Sequence, residues 1–167
     1  MKAIGTIHTP YLDEAPYQPI VAAKGLFYLQ LHAAYAEGLK GVANFRYIYV
    51  LYAFHKDLPL TRNIVRPPWA PAGTLVGVFA TRSPVRPNPI GISIVKVLRV
   101  EGSRVFVSGL DAFDGTPLLD IKPYIADLDV KTDANHGWID TLPASAGDHL
   151  KKHILGQPHE HTVPAHK

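Results

Sequence analysis

Arg82, Arg86 and Asn88 stand within seven residues of one another in ATRSPVRPNPIG, and Pro84, Pro87 and Pro89 punctuate the stretch. Proline fixes φ at about −65°, so such a link holds its guanidinium and amide groups in one presentation. One arginine in a loop reads as a solvated charge; two arginines, an asparagine and Gly91 together read as a binding edge. A second polar set is Asp114, Gly115, Thr116 and Pro117. DGTP is an ordinary tight turn, and it also offers a carboxylate and exposed backbone groups to a polar ligand. DIKPY adds Asp120, Lys122 and Tyr124. Asp120 either takes part in chemistry or forms a buried contact with Lys122, and Tyr124 either stacks on a base or packs in the core. His55 is either a ligand or a strand-end histidine whose hydrogen bonds are satisfied locally.

The elements that must hold these residues are strands. FYLQLH (Phe27 to His32) alternates strictly, and FRYIYVLYAF, TLVGVFAT, ISIVKVLRV and SRVFVSGL share the period of two and the aromatic and β-branched content of a half-buried strand. ISIVKVLRV and SRVFVSGL are separated by little more than Glu101, Gly102 and Ser103, which predicts an antiparallel hairpin. IGTIHT and LLDIKPYI are further strand candidates, and AAYAEGLKG and SAGDHLKKHIL are the two helix candidates. On this reading the arginine loop links a strand ending at Phe79, Ala80 and Thr81 to one that begins with Ile92 to Val97. Closely spaced strands with few helices predict a mainly β, antiparallel sandwich or barrel, not a parallel doubly wound sheet.

Composition removes several alternatives. The 167 residues, 47% hydrophobic and 19% charged, suit one domain with a real core. Cysteine is absent, which excludes disulfides, thiolate nucleophiles and cysteine-ligated metal. No G-x-G-x-x-G follows a strand and no Walker loop occurs, so the Rossmann route to a nucleotide has no support. No apolar run approaches the roughly 20 residues of a spanning helix, and a soluble, cytoplasmic protein is expected. The formal charge of +3 and pI near 9.1 permit RNA as a partner without requiring it. The proline-rich strings YQP, RPPWAP and SPVRPNP form stiff loops of the kind that wall a ligand site. His159 and His161 in the closing GQPHEHTVPAHK read as part of a fraying tail in preference to a metal site, so no metal is expected. Residues 1–143 are expected to form the domain and 144–167 a short helix and tail.

ATRSPVRPNPIG followed by DAFDGTPLLDIKPY resembles the signature pair of the TsaA-like family, also called TrmO or YaeB. IGTIHTPY, APYQP and the strand ending AFHK are similar to that family's other blocks, in the same order, over roughly residues 2–130. The resemblance implies an antiparallel β-barrel, usually dimeric, that binds S-adenosylmethionine without a Rossmann fold. It also implies methylation of N6 of the threonylcarbamoyl-modified adenosine beside the anticodon of threonine tRNAs. Carried over block by block, the methyl donor would touch Pro16, Tyr17, Gln18, His55, Lys56, Arg82, Ile92, Asp114, Gly115, Thr116 and Pro117. Tyr17 stands where the family commonly has arginine, and Lys56 where glutamine is usual.

Methyl transfer to an exocyclic amine needs nitrogen, methyl and sulfur in line, plus acceptors that draw the amine hydrogens; a strong base before attack is not required. Asn88 with Pro89 supplies a side-chain amide and a backbone carbonyl, reminiscent of asparagine-proline motifs in amino-methyltransferases. Asp120 and Tyr124 are the other catalytic candidates. A barrel that methylates a small metabolite and a non-enzymatic S-adenosylmethionine sensor are the alternatives to an RNA methyltransferase. Arg62, Arg66, Arg86 and Arg99 favour RNA, because phosphate binding is largely electrostatic.

Overall fold

The computed structural model describes residues 1–16, 19, 22–56 and 62–143. Among these residues eight strands are present: β1 (Gly5–His8), β2 (Tyr28–Leu31), β3 (Tyr47–Ala53), β4 (Ile64–Val65), β5 (Val76–Gly77), β6 (Ile90–Glu101), β7 (Arg104–Val107) and β8 (Thr116–Pro123). Six of them pair antiparallel in the cyclic order β1-β2-β7-β6-β3-β8, and β8 returns to β1 through Gly5–Leu118, Thr6–Pro117 and Ile7–Thr116. The curled sheet therefore closes into a barrel, which leaves no unpaired edge among these strands.

Alternation fixes which side chains fill it. Ile48, Val50 and Tyr52 of β3 point inward, as do Gly91, Ser93 and Val95 of β6, and they meet Ile7, Leu29, Leu31, Val105, Val107 and Leu118 in one core. The β6–β7 hairpin turns through Gly102 and Ser103 between the paired Glu101 and Arg104, and Gly102 takes a φ of +57°. A positive φ at the first turn position suits a two-residue hairpin and favours glycine. Gly5 serves a different need: a Cβ there would lie 2.2 Å from the Gln30 carbonyl oxygen of the neighbouring strand.

Two expectations are corrected. TLVGVFAT is not a strand. Only Val76 and Gly77 pair, with β4 in a separate two-stranded ribbon, and Val78–Ala80 forms a tight helical turn that buries Val78 and leaves Phe79 80% exposed. The turn places Arg82 on a loop that leads from the ribbon back to the barrel. AAYAEGLKG is helical over Ala33–Leu39, but as a 3₁₀ helix, which is the tighter and less regular form. An α-helix of four residues, Ala126–Asp129, and a turn at Gly137–Thr141 follow the barrel. The helix expected at SAGDHLKKHIL and the histidine tail lie outside the described residues.

Candidate functional site

The polar blocks converge at one end of the barrel because strand direction puts them there. β3 ends at Ala53 opposite Ile90, where β6 begins, and Tyr52 pairs with Leu118 near the start of β8. β1 ends at His8, next to the same end of β8. The segments leaving these strand ends form a mouth. His55 accepts or donates at Nδ1 to the Thr116 hydroxyl, 3.1 Å away, and Thr116 donates to the Phe113 carbonyl at 2.7 Å. Lys56 reaches the Leu12 carbonyl and Asp13 at 3.1 Å, with its ammonium 4.3 Å from the centre of the Phe113 ring. Asp114 ties the segment after β1 to the turn: its carboxylate lies 3.1 Å from His8 Nδ1 and accepts from the Thr9 N–H at 3.2 Å. Gly115 has a φ of +79°, the reason glycine stands in the DGTP turn.

The arginine loop is braced from within. The Thr81 hydroxyl donates to Val78 O at 2.9 Å and accepts from the Ser83 N–H at 3.2 Å, and the Ser83 hydroxyl accepts from Val85 N–H at 3.3 Å. Arg86 is partly buried, with long contacts of 3.5 and 3.4 Å to the carbonyls of Val78 and Thr81. Arg86 is therefore a peg of the loop, and Arg82, exposed, acts through its charge on Asp111. Outside, Trp69 and Trp138 stack at 5.4 Å and 13°, and the Trp138 indole donates to the Ala80 carbonyl at 2.9 Å. This clasp pins the turn two residues before Arg82, and no spacing in the sequence announced it.

Beneath the mouth lies a polar cluster that the sequence reading passed over. Asp111 Oδ1 accepts from the Ser93 hydroxyl at 2.6 Å and from the Tyr52 hydroxyl at 3.4 Å, and these two hydroxyls are 3.2 Å apart. Ser93 and Tyr52 are buried in the barrel. Desolvation pushes the Asp111 carboxyl above the usual aspartate range, and the bonds from Ser93 and Tyr52 and the charge of Arg82 oppose that rise. Burial and the neighbouring Asp111 push the Tyr52 phenol well above its ordinary value.

The remaining expected site residues are dispersed. Pro16 is partly buried beyond the Tyr11–Asp13 segment, while Tyr17 and Gln18 lie outside the described residues. Asn88 is exposed in the loop, but the backbone half of the acceptor pair is already engaged: Asn88 O accepts from Ile90 N–H at 2.7 Å and Pro89 O from Phe54 N–H at 2.9 Å. Pro117 pairs with Thr6, flanking the mouth. Ile92 is half exposed on the outer wall of β6. Asp120 contacts Lys122 at 2.7 Å as one alternative foresaw, but at the surface and not buried. The cause is a bulge at Leu119, which shifts the register between Leu51 and Tyr52 and turns Asp120 outward beside inward Ile121. Tyr124 packs on Tyr47 and Tyr49 at the far end of β3, about 20 Å along the strand from the mouth.

Among the described residues no group of three potential ligands could hold a metal ion, and no helix is long and apolar enough to cross a membrane. The described residues form an antiparallel barrel with a polar mouth at one end. The chain belongs to the tRNA-methyltransferase O family, whose N-terminal domain profile matches residues 6–130. It is 35% identical over 153 residues to the tRNA (adenine(37)-N6)-methyltransferase of Escherichia coli, covering 86% of this chain and 65% of that one. It is 36% identical over 141 residues to a Pyrococcus abyssi protein named "Probable S-adenosyl-L-methionine-binding protein", covering 83% and 75%. The crystal structure of TrmO from Pseudomonas aeruginosa superposes with a TM-score of 0.65 at 34% identity, over 81% of this chain and 60% of that one. The chain thus spans about three fifths of that solved relative's length.

Proposed function

We propose that this protein transfers a methyl group from S-adenosylmethionine to N6 of the adenine beside the anticodon in tRNA, and that it works as a cytoplasmic homodimer. The observation that carries the reading is the gathering of Arg82, His55, Lys56 and the Asp114–Pro117 turn at one mouth of a barrel of this family. The donor set suits the ligand. A guanidinium at Arg82 matches the carboxylate of the donor's amino-acid end, and the DGTP turn has backbone groups for ribose or adenine edges. Asp114 is already held by His8 and Thr9, so its part is to fix the turn. When bound, S-adenosylmethionine supplies an electrophilic methyl on a sulfonium. The chain's own task is to orient the amine, exclude water and take up a proton. Exposed Arg62, Arg66, Arg82, Arg99 and Arg104 supply positive charge for a polyanion.

The test is incubation with S-adenosylmethionine labelled in its methyl group and tRNA with or without the threonylcarbamoyl modification, followed by nucleoside analysis. Label at N6 of the modified adenosine is the expected result. Label in a small metabolite only, or binding without transfer, would overturn the reading. Two variants separate pocket from chemistry. Arg82→Ala is expected to weaken donor binding by about 1.5–3 kcal/mol through loss of a charge-assisted contact. Asn88→Ala is expected to leave binding intact and slow methylation. Calorimetry and single-turnover rates check both, and equal losses of binding would place Asn88 in the donor wall instead.

A further inference from the structure

Asp111 is the carboxylate on which the site's blocks converge. It opens DAFDGTP and receives Ser93 from β6, two residues past Gly91, and Tyr52 from β3, on one and the same oxygen. Arg82 on the braced loop and Tyr11 after β1 lie close enough for their charges to act with that of Asp111. The side chain is only partly buried, although Ser93 and Tyr52 are 3% and 2% exposed. Its back is thus anchored in the barrel while its front remains at the mouth. The anchoring is built with some care, because Gly91 is the residue that admits the Tyr52 ring: a Cβ there would lie 2.2 Å from Tyr52 Cε2.

A structural role alone does not call for a charge here. Asparagine could accept from both hydroxyls without the cost of desolvating a carboxylate. The proposed reaction does call for one. The N6 lone pair of adenine is delocalised into the purine, which makes it a poor nucleophile, and the nitrogen must shed a proton as it gains a carbon.

Resting on the function proposed above, we infer that Asp111 is the catalytic base of the transfer. N6 gives its electron pair to the methyl carbon, the carbon–sulfur bond breaks with its pair retained on sulfur, and the N6 proton passes to the Asp111 carboxylate. Ser93 and Tyr52 are positioning residues that hold the carboxylate. The products are the adenine carrying the new methyl on N6 with any substituent already there retained, the demethylated thioether and a neutral Asp111, which returns its proton to solvent. Desolvation makes the carboxylate a stronger base than a solvated aspartate, and the two hydroxyls keep it ionised against that tendency.

The test uses the full chain and Asp111→Asn, which keeps the shape and the hydrogen-bond acceptor. Donor binding is measured by calorimetry and single-turnover methylation of tRNA across pH. The expected result is binding within about threefold of the parent, a rate lower by about a hundredfold or more, and loss of the acid limb of the rate profile. A rate within about threefold of the parent, an unchanged acid limb, or loss of donor binding in step with the rate would each overturn the assignment.

Ser93→Ala supplies the readout independent of turnover. In ¹³C-aspartate NMR of the free protein, the Asp111 midpoint should move to higher pH, because a bond that favours the carboxylate is lost. An unmoved midpoint overturns the assignment even if Asp111→Asn does not fold. Absence of N6 label with the parent protein is a separate result: it overturns the proposed function itself, and this inference with it.

Discussion

At the scale of single residues, Asp111 has a consequence for stability as well as for chemistry. Its carboxyl titrates at higher pH in the folded chain than in the unfolded one, so the folded state holds the proton more tightly. Folding stability contributed by this group is therefore greatest at acid pH and falls as pH rises from the ordinary aspartate range through the raised folded value. Asp111→Asn removes that fall. The variant is expected to unfold at an equal or higher temperature than the parent near neutral pH, with the advantage shrinking in acid, as scanning calorimetry at a series of pH values would record. A neutral-pH loss of several degrees would mean that the charge itself holds the barrel together. Gly91→Ala makes the opposite kind of test. A methyl group driven against the buried Tyr52 ring is expected to cost about 1–3 kcal/mol and to displace the hydroxyl that anchors Asp111, lowering both stability and rate. The sequence displayed Arg82, Asp114 and Thr116 plainly, because turn chemistry and prolines mark such loops. It hid Asp111, because one aspartate in the segment between β7 and β8 carries no periodic signal and its partners lie 18 and 59 residues away.

At the scale of elements, alternation was a good guide wherever strands run long enough to show a face. β2, β3 and β7 lie within the segments that read as strands, β6 runs past both ends of ISIVKVLRV, β1 lies within IGTIHT, and β8 overlaps LLDIKPYI. The failures have local causes. TLVGVFAT alternates in composition, but Val78 alone is buried there, and a short ribbon of β4 and β5 gives the segment no barrel neighbour to pair with. The bulge at Leu119 reversed the face of Asp120, an effect that no one-residue pattern reveals. The Trp69–Trp138 clasp joins segments 69 positions apart in sequence and holds the turn before Arg82 by a single indole bond. Trp138→Phe retains a stackable ring and removes that bond, so a loss of about 1 kcal/mol in stability is expected, with severalfold weaker donor binding through a loosened Arg82. The chain has only two tryptophans, so intrinsic fluorescence reports on this clasp directly. Donor binding at parent strength in Trp138→Phe would confine the clasp to a structural role.

At the scale of the whole molecule, the outer wall of β3 and β6 is unusually apolar for a surface facing water. Ile92 and Ile94 are 50% and 46% exposed and Leu98 57%, with exposed Lys96, paired to Tyr47, between Ile94 and Leu98. Exposed apolar side chains clustered in this way mark an interaction face, and a self-complementary face is the simplest way to cover one. Pairing two copies there would also set two basic surfaces side by side, widening the area available to a folded RNA. Ile92 belongs to this wall and to the carried-over donor site alike, so its substitution would confuse two effects. Ile94 lies one outward position further from the mouth, opposite Tyr49, and belongs to the wall alone. Ile94→Glu is therefore expected to convert a dimer into a folded monomer in sedimentation at micromolar concentration. Its unfolding temperature should change little when measured on the separated chain, because the replaced side chain is already half exposed. Donor binding per chain should persist, whereas affinity for tRNA should fall and lose part of its salt dependence, since fewer phosphates are neutralised. A parent protein that sediments as a monomer, or an Ile94→Glu dimer as tight as the parent's, would remove this wall from the interface and leave its exposed isoleucines to some other partner.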